Sequence, residues 1–314
     1  MKKHLLVWLM LAFCVLLTGC SYADMAENER KAEDIEVKLS EAYSLVAEIY
    51  NMDLAGVVSY KGNILACDAA NNKLTILRDS GEILNTFGRL GNGMGEFTNP
   101  TGLAIVEDKV YVLDAGNHRI QIYDSNLSYI GSTTLNELSP TDEVYYLDIS
   151  VSDDGTMYLT ANSTFRDISR IYIVNPNGKL ITSSEPVYGY TCCDGKEAYC
   201  LNTFELFEAS NTWKASFSNN YLYKICDDGS LETLAELPYK YGPADFVVEG
   251  SDLYVLSSAW ARLDHFQTDG TYIETIYHFD NGLHPESYLE KTNNGFVITD
   301  RYTGSIYILS NEAD

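Results

Sequence analysis

From residue 64 onward the chain sets short apolar strands against turn residues at a regular interval. Six similar stretches mark the beat: ILACD from Ile64, VYVLD from Val110, MYLTA from Met157, AYCLN from Ala198, LYVLS from Leu253 and FVITD from Phe296. Their second residues, Leu65, Tyr111, Tyr158, Tyr199, Tyr254 and Val297, lie 46, 47, 41, 55 and 43 positions apart. A second alternating strand follows each: KLTIL, RIQIY, RIYIV, YLYKI, RLDHF and SIYIL. Five of these run into turns rich in Asp, Asn and Gly, at Asp79 to Gly81, Asp124 to Asn126, Asn175 to Gly178, Asp227 to Gly229 and Asp269 to Gly270. Such residues accept the positive φ of tight hairpins. All-β repeats of roughly 40 to 45 residues are the pattern of four-stranded propeller blades. Runs such as VYVL, apolar without alternation, suit sheets packed on both faces. The pattern predicts an all-β fold, a six-bladed β-propeller of four-stranded antiparallel blades, over residues 35–314.

The sixth repeat supplies GFVITD and SIYIL and then reaches Asp314 without a fourth strand. IEVKL, residues 35–39, alternates like a strand ahead of the first repeat. It is expected to pair with the last C-terminal strand, so that an N-terminal strand closes the last blade and removes two open sheet edges. The 24 tyrosines fit the same picture, since each ring fills space between blades while its hydroxyl reaches a polar edge.

The stretch GNGMGEFTNPTGLAIVEDKVYVLDAGNHRIQIYDS resembles an NHL repeat at Gly95, Phe97, Pro100, Gly102, Leu103, Val110 to Asp114 and Gly116 to Ile120. The chain as a whole is similar to the six-bladed propeller lipoproteins of bacteria. The resemblance implies that Asn117, His118 and Arg119 form a blade corner, with His118 tying down the turn. No Gly-x-Ser-x-Gly motif accompanies His118 to make it a triad base.

The opening residues change the picture of where the propeller works. Lys2 and Lys3 precede an apolar run from Leu5 to Leu17, 13 residues long. That is short of the ~20 that span a bilayer and within the range of a secretory signal. Leu17, Thr18, Gly19 and Cys20 resemble the lipobox of bacterial lipoproteins, which implies a signal peptide over 1–19 and a lipid on Cys20. Two or more acyl chains there would hold the protein to a membrane of the cell envelope. SYADMAENERKAED, polar and without periodicity, reads with Cys20 as a tether over 20–34. The formal net charge is −24, and the 21 basic residues do not cluster, so nucleic acid is excluded as a partner. Beyond Cys14 and Cys20 five cysteines remain, without a Cys-x-x-Cys pair; an odd count in so long a chain is no disulfide framework. The adjacent Cys192 and Cys193 are expected as free thiols, or with one bond to Cys200 or Cys226.

Propellers bind at the mouth of the central channel, where loops enter the innermost strand and join the second strand to the third. GRLGNGMGEFTNP, residues 88–100, lacks the Gly-x-x-x-x-Gly-Lys of a phosphate loop and reads as a flexible rim. The insertion at 202–220 accounts for the 55-residue spacing and carries Phe204, Phe207, Trp213 and Phe217. It either offers a recognition surface or folds back over its own aromatics. Trp260, Arg262, Arg301 and Tyr302 fall on the same face. By register the channel entrance is lined by Gly56, Gly102, Asp148, Tyr190, Asp245 and Ser287, with Glu286 adjacent. Asp148, Asp245 and Glu286 could hold Ca²⁺ through oxygen, and resemblance to six-bladed lactonases and lyases implies a pore metal of this kind. Asp153-Asp154 and Asp227-Asp228 precede glycines and read as turns. The leading expectation is a non-catalytic module without a cofactor that binds a protein, peptide or glycan. The alternative is a pore-metal hydrolase, lactonase or lyase.

Overall fold

A computed structural model of the chain describes residues 37–50, 52–135, 144–163, 168–209, 212–216, 219–238 and 240–311. Cys20, the signal segment, the tether and Phe217 lie outside the described residues. After β1 (Ser44–Ile49), blade one contains β2 (Leu54–Tyr60), β3 (Asn63–Asp68), β4 (Lys73–Leu77) and β5 (Ile83–Phe87). Blade two follows with β6 (Pro100–Val106), β7 (Lys109–Asp114), β8 (Arg119–Asp124) and β9 (Tyr129–Thr134). Blade three has β10 (Val144–Val151), β11 (Met157–Ser163), β12 (Ile168–Val174) and β13 (Leu180–Ser183). Blade four is built from β14 (Tyr188–Asp194), β15 (Glu197–Ala209), β17 (Tyr221–Ile225) and β18 (Leu231–Glu236), with β16 (Thr212–Ser216) attached to β15. Blade five comprises β19 (Pro243–Glu249), β20 (Asp252–Ser257), β21 (Arg262–Gln267) and β22 (Tyr272–His278). Blade six, with β23 (Ser287–Thr292), β24 (Gly295–Asp300) and β25 (Ser305–Ser310), takes β1 as its fourth strand. All six sheets are antiparallel, and the first strands β2, β6, β10, β14, β19 and β23 stand around the axis.

The ring closes as the strand deficit requires, with a different segment. β1 pairs antiparallel with β25 from Ser44↔Ser310 to Ile49↔Ile306. The described part of 35–39 instead runs along the outer edge of blade five. There Thr275 N donates to Lys38 O at 2.7 Å, and Ser40 N to Thr275 O at 2.8 Å. Both segments alternate. Connection length separates them: β1 reaches β2 through residues 50–53, whereas a strand ending at 39 would need a much longer crossing over the seam.

The asparagine-histidine-arginine corner of blade two is a structural knot. Asp114, fully buried, accepts Thr98 N at 2.7 Å, Asn117 Nδ2 at 2.9 Å, Arg119 Nε at 2.7 Å and Gln121 Nε2 at 3.1 Å. His118 adopts a left-handed backbone with φ 49° and packs edge-on against Tyr146 of blade three. The glycine-rich segment 88–100 is tied down rather than loose. Arg119 donates to Asn92 O, Gly93 O and Glu96 O, while Arg89 pairs with Glu96 and Phe97 is fully buried. Its glycines serve a tight path beneath the Arg119 guanidinium. Tyrosine hydroxyls reach carbonyls as expected, Tyr60 to Ser125 O at 2.9 Å across blades one and two and Tyr146 to Leu135 O at 3.1 Å.

Asp114→Ala should lower stability by about 3–5 kcal/mol, because it strands the Arg119 charge and the Gln121 amide in a buried site. Urea unfolding followed by tryptophan fluorescence measures this; a loss below about 1 kcal/mol would mean that solvent replaces the carboxylate at no cost.

Candidate binding face and central channel

The repeat aligns the channel wall in two layers. Opposite Cys67, Leu113, Thr160, Leu201, Leu256 and Thr299 stand Ala55, Gly102, Asp148, Tyr190, Asp245 and Tyr288. Opposite the repeated position itself stand Val58, Ala104, Ser150, Cys192, Val247 and Glu290. The sequence register thus places Gly102, Asp148, Tyr190 and Asp245 in the mouth layer. Blades one and six depart by one residue, with Ala55 in place of Gly56 and Tyr288 in place of Ser287. Strands β2, β6, β10 and β19 each shift register near the mouth, and β23 pairs with β24 without a shift. Tyr288, nine residues before Val297 as Gly102 is before Tyr111 and Asp245 before Tyr254, takes the mouth position instead of Ser287, and Glu290 faces the lumen while Glu286 is exposed on the rim. Glu290 is legible from the repeat, seven residues before Val297 as Val58 is before Leu65, Ala104 before Tyr111 and Val247 before Tyr254.

The lumen encloses a cavity of about 310 Å³ with no Lys or Arg in its lining. Glycine sets how closely the walls approach. A Cβ on Gly56 would come 2.7 Å from Thr101 O, and one on Gly102 would meet Asp148 Oδ1 at 3.0 Å. Polar groups of the wall then clip neighbouring blades. Asp245 accepts Phe246 N at 2.8 Å and, across to blade six, Leu289 N at 2.7 Å. Glu290 accepts Ser59 N of blade one at 2.8 Å, and Ser150 Oγ donates to Thr191 Oγ1 at 2.9 Å between blades three and four. Tyr190 and Tyr288 meet edge-on at 6.2 Å.

Desolvation dominates the electrostatics of this wall. It pushes Asp148 up to about 7 against one main-chain hydrogen bond from Ile149, and Glu290 up to about 7 against that from Ser59. Asp245 rises well above the usual carboxylate range, first by burial and then by the Asp148 charge. Burial also raises Cys192, Cys193 and Cys200, so these thiols are poor nucleophiles. Cys67, Cys192, Cys193, Cys200 and Cys226 are all free.

These donors do not fit a calcium ion. Ca²⁺ takes six to eight oxygens, and both Asp245 oxygens are already committed to main-chain N–H groups. Glu286 is not brought to Asp148 and Asp245. Among the described residues, no group of three His, Cys, Asp or Glu side chains is placed to hold a metal.

The mouth face carries the other candidates. β15 runs on beyond its pairing with β17, and its distal half pairs with β16 from Glu205↔Ser216 to Ala209↔Thr212. What reads in sequence as a loop is a two-stranded arm. Phe204 and Phe207 lie on β15 and Trp213 on β16. Since this arm lengthens the junction of a second and third strand, it stands at the mouth end of blade four. In blade five Arg262 is buried, with Nε 2.6 Å from Asp264 Oδ2 and its guanidinium 4.3 Å from the half-buried Trp260 ring. Tyr241 and Thr275 also donate to Asp264, so Arg262 belongs to an internal network. In blade six Arg301 pairs with Asp53 at 2.8 Å, and Tyr302, 66% exposed, stacks on His284 at 4.6 Å.

Residues 48–250 match the model of a family described as a 6-bladed beta-propeller. The chain belongs to that family. A comparison with curated proteins returned no match. Among solved structures, virginiamycin B lyase from Staphylococcus aureus is 13% identical, with a TM-score of 0.55 over 85% of this chain and 99% of that one. A calcium-binding regucalcin from Agrobacterium tumefaciens, also 13% identical, gives a TM-score of 0.57 over 84% and 93%. A PQQ-bound aldose sugar dehydrogenase from Streptomyces coelicolor is 12% identical, with 0.55 over 85% and 97%. At such identities the likeness establishes the fold alone.

The partly buried lumen carboxylates make the stability of this six-bladed propeller depend on pH. Asp148 and Glu290 have folded values near 7, above the roughly 4 of an unfolded chain. Between those values the folded state binds more protons than the unfolded state, so stability falls as pH rises from about 4 to about 7 and is flat above. Asp148→Asn should raise stability at pH 8 by roughly 2–4 kcal/mol and change little at pH 4. Thermal unfolding at the two pH values checks this, and an equal effect at both would show that Asp148 ionises without penalty.

Proposed function

We propose that this propeller is exported, anchored to a membrane of the cell envelope by lipid on Cys20, and binds a protein or peptide at its mouth face without catalysing a reaction. The β15–β16 arm is the observation that carries the reading. A two-stranded hairpin is marginal on its own, and this one carries Phe204, Leu206, Phe207 and Trp213 in a short segment. Aromatic residues on an arm beside an open channel suit the anchoring of a partner. Tyr302 on its His284 platform gives a second aromatic contact on the same face. A glycan, which stacks on the same ring types, is the other ligand class that this face suits.

A pore-metal hydrolase or lyase draws less support. Its carboxylates Asp148, Asp245 and Glu286 are divided between lumen and rim, and the oxygens of Asp245 are engaged. Calcium calorimetry separates the readings: tight binding that Asp245→Ala abolishes would favour the metal enzyme.

Trp213→Ala is expected to weaken partner capture on peptide and glycan arrays at least tenfold, with thermal unfolding of the variant measured alongside to separate lost binding from lost folding. An identical array profile would remove the arm from the account. Cys20→Ser should release the protein from the membrane fraction into the soluble one; a variant that stays with the membrane would mean that lipid on Cys20 is not the anchor.

A further inference from the structure

The corner that Asp114 knots in blade two recurs in every blade, and its charges differ. Three residues past the repeated position, the second strand is paired directly across with the third: Asp68↔Lys73, Asp114↔Arg119, Ala161↔Arg170, Ser257↔Arg262 and Asp300↔Ser305. Asn202 holds the same position in blade four, where it accepts Tyr221 N. Wherever a carboxylate occupies this position in blades one and two, a cation faces it. Lys73 Nζ lies 3.6 Å from Asp68 Oδ2, and Arg119 Nε 2.7 Å from Asp114 Oδ2. Blade six keeps the carboxylate and has a serine in place of the cation.

Every other donor that serves Asp114 is altered there too. Thr98 N, two residues before Pro100, donates to Asp114; the residue two before Ser287 is Pro285, which has no N–H. Asn117 donates its amide to Asp114; its counterpart Thr303 donates its hydroxyl to Ser305 Oγ at 3.0 Å. Asp300 Oδ1 accepts Tyr302 N at 3.0 Å and Thr303 N at 3.2 Å. Asp300 Oδ2 has no donor among the described residues, although the residue is 1% exposed. Arg301, next in sequence, directs its Nε to Asp53.

A buried carboxylate oxygen without a donor or counter-charge is costly, and its surroundings are rich in oxygen. Ser287, Asp300 and Ser305 face one another across three strands, at 0%, 1% and 2% exposure. Opposed residues of an antiparallel ladder share a face with Cβ atoms about 5 Å apart. Ser287 Oγ donates to His284 O at 2.7 Å, which leaves its lone pairs free. We propose that this row is a binding site for a monovalent metal cation of the sodium class, the counter-ion that Lys73 and Arg119 supply internally elsewhere. Oxygen-only donors select a hard cation, and one buried carboxylate balances one positive charge, whereas a divalent ion would leave an excess charge in a dry site. The site lies at the seam where β25 meets the N-terminal strand, so its occupancy stabilises ring closure. This inference is independent of the proposed partner binding.

Thermal unfolding of the whole protein in sodium chloride against choline chloride at equal ionic strength tests the site. Sodium should raise the midpoint by about 5 °C at concentrations well above the dissociation constant, and ²³Na resonances should broaden on adding protein. Asp300→Asn should remove both effects. Ser305→Lys should raise the midpoint in choline chloride and abolish the sodium response, since it rebuilds the blade-one pair. Equal midpoints in the two salts, ²³Na broadening that survives Asp300→Asn, or a response to calcium chloride but not to sodium, would each overturn the proposal.

Discussion

Closure of the ring is the constraint on which the rest of the molecule depends. Blades pack face to face, so five can stand in sequence, but the sixth must meet the first without a covalent link at that junction. β1 provides one by lying in blade six and continuing through residues 50–53 into blade one. The seam is then fastened at three levels: Arg301 to Asp53 on the rim, Met52 N to Gly304 O below it, and Ser59 N to Glu290 in the lumen. Pairing Ile49 with Ile306 joins residues from opposite ends of the sequence. Its loop-closure cost is met only when the intervening blades are already folded. The mouth residues exist as a site only once that has happened.

Much of this was legible because a propeller writes its period into the chain. The repeated aromatic or aliphatic position located all six second strands, and the turn chemistry located most hairpins. What was not legible depended on competition between equivalent segments or on contacts that only the folded chain makes. IEVKL and SLVAEI alternate equally well, and only the distance to Leu54 decides between them. Glu290 goes unread because the register is followed only to the mouth layer, and Glu290 lies in the layer two residues further along the strand. Arg262 looked like a rim cation, yet its partner Asp264 lies two residues away on the same strand face, a spacing that in retrospect marks an internal pair. Glycines at 88–95 suggested looseness, while their freedom is used to wrap backbone around Arg119.

The same repeat shows how a fold can hold its corners fixed while changing their chemistry. Blade two saturates its aspartate with donors, blade one does so more sparsely, and blade five moves the carboxylate to Asp264 while retaining the arginine. Blade four replaces charge altogether with Asn202, whose amide reads the backbone on both sides. Each solution serves a buried corner at a different electrostatic cost, with the same cross-strand pairing in blades one, two and five. Because the scaffold is insensitive to which solution is used, likeness of fold to a lyase, a calcium-binding protein and a dehydrogenase carries no preference among their activities.

Six-fold arrangement also fixes how the parts of the mouth relate. Blade four stands opposite blade one, so the β15–β16 arm faces Asp53 and the seam across the channel, with Tyr302 to one side. A partner bridging arm and seam must pass over the lumen. On the proposed binding role it would exclude the solvent still reaching Asp148 and Glu290, which raises the cost of ionising them. Binding then favours their protonated forms, and by reciprocity affinity strengthens as pH falls through about 7. An affinity that stayed flat from about pH 6 to pH 8 would mean that the partner grips the arm alone and leaves the channel open.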